Sequence, residues 1–373
     1  MHKLLFVFGT RPEAVKLCPL VSHLQQDSDF HVSVCVTAQH RQMLDQVLGA
    51  FEVRPNHDLD LMQPGQTLAQ STSRMIAGLD PVLVAESPDL VIVQGDTTTT
   101  LCGALSAFYR RIPVAHVEAG LRTHDRMQPF PEEINRVLTT RITSLHFAAT
   151  EGAARNLAAE GVEREAIAVT GNTGIDAVLQ VRDGLLSGRL HSDSLPGLDP
   201  GKKLVLVTAH RRESFGEGFE RICQAVAAIA SRPGVQVVYP VHPNPNVQDP
   251  VNRLLAGHPG VLLVQPLDYV PFVDLMRRAY LILTDSGGIQ EEAPSLGKPV
   301  LVLREKTERP EAVEAGTVRL VGTSRERIVS EAADLLDNPK TYEAMARVHN
   351  PYGDGHACER IRAVIHSFFS KNG

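Results

Sequence analysis

A short stretch in the second half of the chain has the residue types that hold a phosphate group. Residues 284–300 read TDSGGIQEEAPSLGKPV and follow an apolar run typical of a buried strand. Gly287 and Gly288 let the backbone approach a ligand, and a helix beginning near Ile289 presents unpaired N–H groups and a positive dipole end. We therefore predict a diphosphate site around Ser286. The glycine spacing matches neither GxGxxG nor GxxxxGK[ST], which disfavours dinucleotide cofactors and P-loop ATP chemistry.

Polar clusters follow other apolar runs in the same way. They are residues 9–13 (GTRPE), 94–97 (QGDT), 118–122 (EAGLR), 210–213 (HRRE) and 242–244 (HPN). In open parallel sheets, ligands bind beyond the carboxyl ends of the strands, where the strand order reverses. Each cluster alone also fits helix capping, since Thr97 and Ser286 are good caps and Pro12 is a good first helical residue. Because the clusters occur in both halves of the chain, we favour a ligand site in a cleft between two domains.

The elements that would position these clusters alternate between strand and helix. Continuously apolar runs such as 4–8, 89–93 and 281–285 predict parallel strands buried on both faces. Amphipathic stretches such as 68–85 and 97–110 predict the helices between them. This alternation predicts an α/β protein with doubly wound parallel sheets.

The domain boundary is predicted where this alternation stops. Residues 185–203 are rich in Gly, Pro, Ser and Asp, and a second series of strands begins after them. We predict one Rossmann-like domain over residues 1–185 and another over 200–350, because 373 residues exceed what one hydrophobic core usually supports. A C-terminal helix within 355–373 is expected to pack back on the first domain.

Composition restricts the class of protein further. The chain is 43% hydrophobic and 21% charged, as in ordinary globular proteins, and its net charge of -6 argues against binding to nucleic acid. The apolar run 4–8 is too short for a signal peptide or a membrane span, so we expect a cytoplasmic protein that is not bound to a membrane. The five cysteines lack the spacing of metal ligands, which predicts buried thiols without disulfides or zinc.

Longer strings in both halves of the chain resemble a single family. The strings are GTRPEAVK (9–16), QGDTTTT (94–100), HVEAGLRT (116–123), PFPEEINR (129–136), GNTGIDAV (171–178), AHRRESFG (209–216) and TDSGGIQEEAPSLGKPVLVLREKTERPEA (284–312). Together they resemble the bacterial non-hydrolysing UDP-N-acetylglucosamine 2-epimerases. The resemblance implies a GT-B architecture, with two Rossmann-like domains facing across a cleft, and a homodimer. The implied product, UDP-N-acetylmannosamine, would serve a cell-envelope polysaccharide.

Inversion at carbon 2 of this sugar requires a particular chemistry. The proton on carbon 2 is not acidic in the intact sugar, because that carbon is not attached to a carbonyl group. Departure of UDP from carbon 1 makes the proton removable, and the resulting 2-acetamidoglucal can be reprotonated from the other face. The route uses no redox cofactor and no metal, so we expect neither. It needs a cradle for the diphosphate and acid/base groups around the ring.

Candidate residues exist for both requirements. The cradle would use Arg11, Lys16, Arg211 or Arg212, and the turn 286–288. By resemblance, the catalytic positions are Asp96, Glu118, Glu132 and His210. Other interpretations stay open at three of them: Asp96 also fits a helix cap, Glu132 a charge that compensates a helix dipole, and His210 a buried structural histidine. Closely placed carboxylates raise one another's pKa, which would suit one as acid and one as base, in either assignment.

The resemblance also implies positions for the nucleotide and for a second site. Phe272 would pack on uracil, and phosphate and ribose would contact Ser286, Gly287, Gly288, Glu292 and Arg309. Some members of the family bind a second substrate molecule as an activator, through positions that match Gln39, His40, Gln42, Gln66 and His242. Gly65 departs from that pattern, because an arginine can occupy this position in such members.

Three rival functions share parts of this pattern. A hydrolysing relative would release free N-acetylmannosamine, but the chain carries no kinase-like segment. A GT-B glycosyltransferase would need an acceptor groove, often with a basic or apolar surface, and no such stretch stands out in the sequence. A UDP-sugar sensor would lack the carboxylates of the first domain. We therefore favour the non-hydrolysing epimerase.

Overall fold

The chain folds into two compact units. A computed structural model describes residues 1–37, 41–63, 65–193 and 195–372, with the backbone alone for 41–43 and 372. Unit 1 comprises Met1–Ala177 and Gly353–Gly373, and unit 2 comprises Val178–Tyr352. Within the described residues, no helix is both long enough and apolar enough to span a lipid bilayer.

Strands and helices alternate through both units. The strands are β1 (His2–Phe8), β2 (Phe30–Val36), β3 (His57–Asp58), β4 (Leu90–Gln94), β5 (Val114–Ala119), β6 (Leu145–Ala148), β7 (Ile167–Val169), β8 (Lys203–Thr208), β9 (Val235–Pro240), β10 (Val261–Val264), β11 (Leu281–Thr284), β12 (Val300–Val302) and β13 (Val318–Leu320). The helices are α1 (Arg11–Gln25), α2 (Arg41–Ala50), α3 (Leu68–Glu86), α4 (Thr98–Tyr109), α5 (Glu132–Ile142), α6 (Glu151–Ala159), α7 (Thr173–Leu186), α8 (Glu217–Ala230), α9 (Pro245–Leu255), α10 (Tyr269–Arg278), α11 (Gly287–Glu292), α12 (Pro310–Ala315), α13 (Arg325–Asp337), α14 (Pro339–Ala346) and α15 (Ala357–Asn372).

Each unit is built on one parallel sheet. In the described part of unit 1 the strand order is β3-β2-β1-β4-β5-β6-β7, and in unit 2 it is β10-β9-β8-β11-β12-β13. The central strands β1, β4, β8 and β11 are apolar and buried along nearly their whole length, as expected for parallel strands covered by helices on both faces. The predicted doubly wound α/β fold is therefore confirmed in both units.

The five cysteines lie inside these units as predicted. All are free thiols and all are buried. Burial raises the pKa of the Cys35 and Cys102 thiols to about 12, so they are neutral at physiological pH. They act as small apolar side chains of the core.

The last helix, α15, is fastened to unit 1 by a carboxylate of α7. Asp176 is buried, and its two oxygens accept hydrogen bonds from the backbone nitrogens of Ala357 (3.2 Å) and Cys358 (2.9 Å). These N–H groups have no partner within a helix, so Asp176 caps α15 from a distant part of the chain. In the second half of α15, His366 Nε2 lies 2.8 Å from the carboxylate of Asp27.

Replacing this capping carboxylate should loosen α15. In Asp176→Ala, two buried N–H groups lose their acceptor, at a cost of about 2 kcal/mol. Amides of α15 should then exchange with solvent about 30-fold faster, as measured by hydrogen–deuterium exchange. Asp183→Ala is the control, because Asp183 lies on the same helix, is exposed and, among the described residues, forms an ion pair with its neighbour Arg182 alone. Equal exchange of α15 in both variants would contradict the capping role.

Candidate active site

Four of the six polar clusters of the sequence follow the strands between which the strand order reverses, and the other two, 118–122 and 242–244, lie at the ends of the neighbouring strands β5 and β9. In unit 1 the reversal falls between β1 and β4, and the loops that follow these strands carry residues 9–10 and 95–97. In unit 2 it falls between β8 and β11, and the loops that follow carry 209–211 and 285–286. Ligands of open parallel sheets bind beside such reversals. Each unit therefore presents its polar residues at a favourable position for a site.

A buried carboxylate, Glu13, joins the two loops of unit 1. Its Oε2 accepts hydrogen bonds from the backbone nitrogens of Gly9 (3.1 Å) and Thr10 (2.7 Å), and its Oε1 accepts one from Thr97 Oγ1 (2.7 Å). Burial raises the pKa of Glu13, and these hydrogen bonds oppose that rise. The sequence shows Glu13 as a member of a polar cluster but indicates no role for it. The structure assigns it the role of fixing one loop against the other.

The backbone around Asp96 is held from two further directions. The Gly95 nitrogen donates to Val117 O of β5 (3.0 Å), and the Gly95 carbonyl accepts from His116 Nε2 (2.7 Å). Burial lowers the pKa of His116 to about 4, so this imidazole is neutral at physiological pH and its Nε2–H is the donor. The Asp96 carbonyl accepts from Asn135 Nδ2 at 2.9 Å. These contacts fix the backbone from which the Asp96 side chain extends.

The carboxylate of Asp96 does not cap helix α4. The cap of α4 is Thr97, whose Oγ1 accepts from the Thr100 nitrogen at 3.1 Å. The Asp96 carboxylate instead forms an ion pair with the guanidinium of Arg136 on α5, and its side chain remains 29% exposed. The capping interpretation of Asp96 is therefore wrong. This leaves a partly exposed carboxylate with a cationic partner.

A bulge in β5 turns Glu118 away from the regular strand direction. The register with β6 pairs Val117 with Phe147 and Ala119 with Ala148, so Glu118 is an extra residue in β5. Its φ of 63° lies in the left-handed region, which non-glycine residues rarely adopt. Bulges of this kind re-aim a side chain beside a functional site. The sequence predicts that Glu118 follows the strand, whereas in the structure it is one of the last residues of β5.

The redirected Glu118 carboxylate lies among polar partners of unit 1. Lys16 Nζ of α1 is 2.5 Å from its Oε1, and Gln94 Nε2 donates to its Oε2. A Cβ atom at Gly95 would lie 3.6 Å from the same Oε2, so Glu118 borders the loop that carries Asp96. Lys16, predicted for the diphosphate cradle, thus contacts a predicted catalytic carboxylate. Arg11, the other cation of unit 1 predicted for the cradle, is the partly exposed first residue of α1.

Glu132 and Glu133 begin α5 but have different surroundings. Glu133 is buried, accepts from the backbone nitrogens of Thr123 (3.1 Å) and His124 (3.0 Å), and pairs with Arg136 (3.2 Å). Glu132 is partly exposed, and its side chain makes no hydrogen bond or ion pair with the described residues. Glu133 therefore has the structural role here. The structure does not link Glu132 to Asp96 or Glu118, so its catalytic role stays a prediction.

In unit 2 a fully buried Asp285 connects the loops after β8 and β11. Its Oδ2 accepts from the backbone nitrogens of His210 (2.6 Å) and Arg211 (2.7 Å). The ring of His210 stacks on that of His242, with 5.2 Å between ring centres. Burial lowers the pKa of His210, while the charge of Asp285 acts in the opposite direction. His210 is only partly buried and Arg211 is exposed, so both side chains are accessible from this edge of the sheet.

The predicted diphosphate turn has a cation beside it. Ser286 is the N-cap residue of α11, yet its side chain makes no capping hydrogen bond. The guanidinium of Arg309 would lie 3.5 Å from a Cβ atom at Gly287, so this side chain lies against the turn. Arg309 is held there by the buried carboxylate of Glu291. The helix start and Arg309 thus present positive charge at the same place.

The remaining predicted nucleotide contacts border this turn or lie on α10. Glu292 is partly exposed, and its Oε1 would lie 3.7 Å from a Cβ atom at Gly288. Glu292, which the resemblance implies as a nucleotide contact, is thus more accessible than its neighbour Glu291. Phe272 lies partly exposed in the first turn of α10. A partly exposed aromatic ring is able to pack on a base.

One charged residue of unit 2 was missed from the sequence. Arg304 is buried and pairs with Glu213 (2.5 Å) and Glu308 (2.8 Å), so it connects the segment after β12 to the loop that follows His210. Its guanidinium lowers the pKa of Glu308 to about 2. Because Arg304 directly follows the apolar run 299–303, the rule that selected the other clusters would also have found it.

The predicted activator site is only partly described. Gln39 and His40 lie outside the described residues, as does the side chain of Gln42. Gln66 of unit 1 accepts a hydrogen bond from Arg74 at 2.9 Å. His242 belongs to unit 2, where it stacks on His210. The second site therefore stays a prediction.

Comparison with known proteins gives matches along nearly the whole chain. A family model for UDP-N-acetylglucosamine 2-epimerases matches residues 22–366. The UDP-N-acetylglucosamine 2-epimerase of Escherichia coli strain K12 is 59% identical over 368 residues, which cover 97% of this chain and 98% of that protein.

Solved structures are similar in fold as well. The UDP-GlcNAc 2-epimerase of Neisseria meningitidis, crystallised with UDP-GlcNAc, is 47% identical with a TM-score of 0.89, and the match covers 98% of this chain and 100% of that one. The glycotransferase of kitacinnamycin is 13% identical with a TM-score of 0.66, over 98% of each chain, and shows a similarity of fold alone. Epimerases and a glycosyltransferase among the structural neighbours agree with the predicted GT-B fold class.

Proposed function

This chain belongs to the UDP-N-acetylglucosamine 2-epimerase family, and from that membership we propose that it interconverts UDP-N-acetylglucosamine and UDP-N-acetylmannosamine without releasing the free sugar. The observation that carries the proposal is the pair of carboxylates in unit 1. Asp96 and Glu118 border neighbouring loops, and each has a cationic partner of its own. Two separately held carboxylates suit a reaction that moves a proton on both faces of one carbon.

The proposed reaction begins with cleavage of the bond between carbon 1 and the β-phosphate oxygen. UDP leaves with the bonding electron pair, and a carboxylate removes the proton from carbon 2. The electrons of that C–H bond form the double bond of 2-acetamidoglucal. A carboxylic acid then protonates carbon 2 from the other face while UDP adds back to carbon 1. Atoms and charges balance, and the acid of one direction is the base of the other.

The charges of unit 2 suit the leaving group. Arg309 and the start of α11 would stabilise the negative charge that grows on the diphosphate as the bond breaks, and His210 and Arg211 would contribute from the loop after β8. Phe272 would pack on uracil, and Glu292 would bind ribose hydroxyls.

Hydrolysis competes with this reaction at a single step. If water instead of UDP added to carbon 1 of the intermediate, free N-acetylmannosamine would form. A non-hydrolysing enzyme must therefore keep UDP bound until the sugar has been reprotonated. We propose that the charged groups around Ser286 retain UDP for that interval, and that the product supplies a cell-envelope polysaccharide. A cytoplasmic homodimer is part of the same proposal.

The protein should place deuterium on carbon 2 without releasing the sugar. We expect incubation with UDP-N-acetylglucosamine in D₂O to give UDP-N-acetylmannosamine and recovered substrate, both deuterated at carbon 2, as followed by ¹H NMR. Free N-acetylmannosamine would instead indicate hydrolysis. Retention of the original proton at carbon 2 would contradict elimination, and unchanged substrate would leave a transferase or a sensor as the function.

A further inference from the structure

A carboxylate oxygen of unit 2 is buried without a hydrogen-bond partner among the described residues. Asp285 has no exposed surface, and its Oδ2 is bound to the backbone of residues 210–211. Its Oδ1 is also buried and accepts no hydrogen bond. The nearest cationic or titratable nitrogen is His210 Nδ1, at 3.5 Å. Leaving a buried carboxylate oxygen without a hydrogen-bond partner costs free energy, which points to an interaction between Oδ1 and His210 Nδ1.

We propose that Asp285 is the positioning residue of His210: its Oδ1 accepts a hydrogen bond from Nδ1–H, so that His210 presents Nε2 to the substrate. The proposal rests on the function proposed above, in which His210 faces the substrate. Shortening the distance of 3.5 Å between His210 Nδ1 and Asp285 Oδ1 by a few tenths of an ångström would bring these atoms within hydrogen-bonding range. A small rotation of the imidazole ring suffices for such a change.

The surroundings of His210 restrict its ring to this arrangement. The two backbone hydrogen bonds to Oδ2 fix the main chain of His210 against the same carboxylate. One face of the ring stacks on His242, whose plane is tilted by only 11°. With the backbone and one ring face fixed, the Nδ1 edge is directed to Asp285. The opposite edge, with Nε2, is the one that remains for a ligand.

A fixed tautomer has a chemical consequence. When Nδ1 carries the proton, Nε2 of the neutral ring has a lone pair, and after protonation it becomes a donor to an anionic oxygen. A histidine held in this way takes up and returns a proton at Nε2, and the carboxylate stabilises the charged ring. In the proposed reaction this serves the diphosphate or a hydroxyl of the sugar. Asp285 touches neither and acts only through His210.

Asp285→Asn tests the assignment with little change in shape. The amide oxygen still accepts from the backbone of residues 210–211, but the amide nitrogen now donates to Nδ1 and forces the proton onto Nε2. We expect kcat to fall about 10²- to 10³-fold because the histidine is held in the wrong tautomer. The affinity for UDP, measured by calorimetry, should change less than about threefold, since no contact to UDP is removed.

The tautomer itself is measured by ¹⁵N NMR of histidine-labelled protein with UDP bound, and His210→Gln identifies the signal. We expect Nδ1–H in the unsubstituted protein and Nε2–H in Asp285→Asn. Asp274→Asn is the control, since Asp274 is another buried aspartate of unit 2 that pairs with Arg277. It should leave the His210 tautomer unchanged. Nε2–H in the unsubstituted protein would overturn the proposal, whether or not the protein epimerises its substrate.

A double variant separates positioning from a purely structural role. If Asp285 acts through His210, adding Asp285→Asn to His210→Gln should lower kcat little further. The group that Asp285 positions is already absent from the single variant. If the two losses in kcat multiply, Asp285 acts independently of His210 and the proposal fails. This comparison uses the deuterium assay with each intact variant. If the unsubstituted protein does not epimerise its substrate, the proposed function is refuted. The tautomer measurement would still test whether Asp285 positions His210.

Discussion

Glu118→Gln should lower kcat for epimerisation about 10³-fold, the range typical for loss of a general acid or base. The amide preserves the shape of the side chain and still accepts from Gln94 or Lys16, but it cannot exchange a proton with carbon 2. Because UDP is bound by other groups in the proposed function, the affinity for UDP should stay within about threefold of the unsubstituted protein. Deuterium uptake at carbon 2 measures the first quantity, and calorimetry the second.

Glu86→Gln is a matched control for this variant. Glu86 is also a partly buried glutamate of unit 1 and accepts from Ser33 (2.8 Å), with His57 at 2.6 Å. It is not among the candidate site residues, so its substitution should leave deuterium uptake close to normal. If Glu118→Gln lost UDP affinity as much as kcat, or if both variants behaved alike, Glu118 would not be an acid or base of the reaction.

Gly120→Ala should destabilise unit 1 by about 3–5 kcal/mol, near the upper end for a single substitution. A Cβ atom there would lie 2.3 Å from the carbonyl oxygen of Ala153 and 2.9 Å from the side chain of Leu157. The first contact is with backbone, which cannot turn aside as a side chain would. The φ of 90° adds strain for any residue with a Cβ atom. Urea unfolding followed by circular dichroism measures the loss.

Gly161→Ala separates the contact from the backbone strain. Gly161 has a similar φ of 85°, but apart from its chain neighbours no atom of the described residues lies within 4 Å of the Cβ position there. We expect it to lose only about 1 kcal/mol, the cost of a left-handed alanine. The difference between the variants gives the cost of the contact with Ala153. Equal losses would show that helix α6 moves away at little cost.

The fold could be predicted from the sequence because its central strands are buried on both faces. The runs 4–8, 89–93 and 281–285 are apolar for that reason, apart from Asp89 at the start of one and Thr284 and Asp285 at the end of another. Each lies in or next to an observed central strand. Strands β3, β6 and β13 do not meet the same criterion. They are two to four residues long and contain His57, His146 and Arg319. Such edge or near-edge strands are identified by pairing in three dimensions.

The candidate site was predictable in part for the same reason. Polar residues directly after buried strands converge wherever a parallel sheet reverses its order, which located Asp96, His210 and Ser286. The supporting contacts were not predictable. Asp285 binds backbone nitrogens 74 and 75 residues away, and Glu13 accepts from a hydroxyl 84 residues away. Backbone donors leave no trace in the residue types, so a pattern of side chains cannot indicate them.

The left-handed backbone of Glu118 sets the stability of the fold against the catalytic role proposed for this residue. A glutamate in this conformation costs about 1–2 kcal/mol relative to glycine, and asparagine would also fit better. A redesign guided only by backbone preference would therefore replace Glu118 and obtain a protein with a higher free energy of unfolding. That protein would lack the carboxylate that borders the Asp96 loop. In a search for thermostable variants, Glu118 should therefore be kept. The residues that best adopt the left-handed conformation at this position are those that lack its carboxylate.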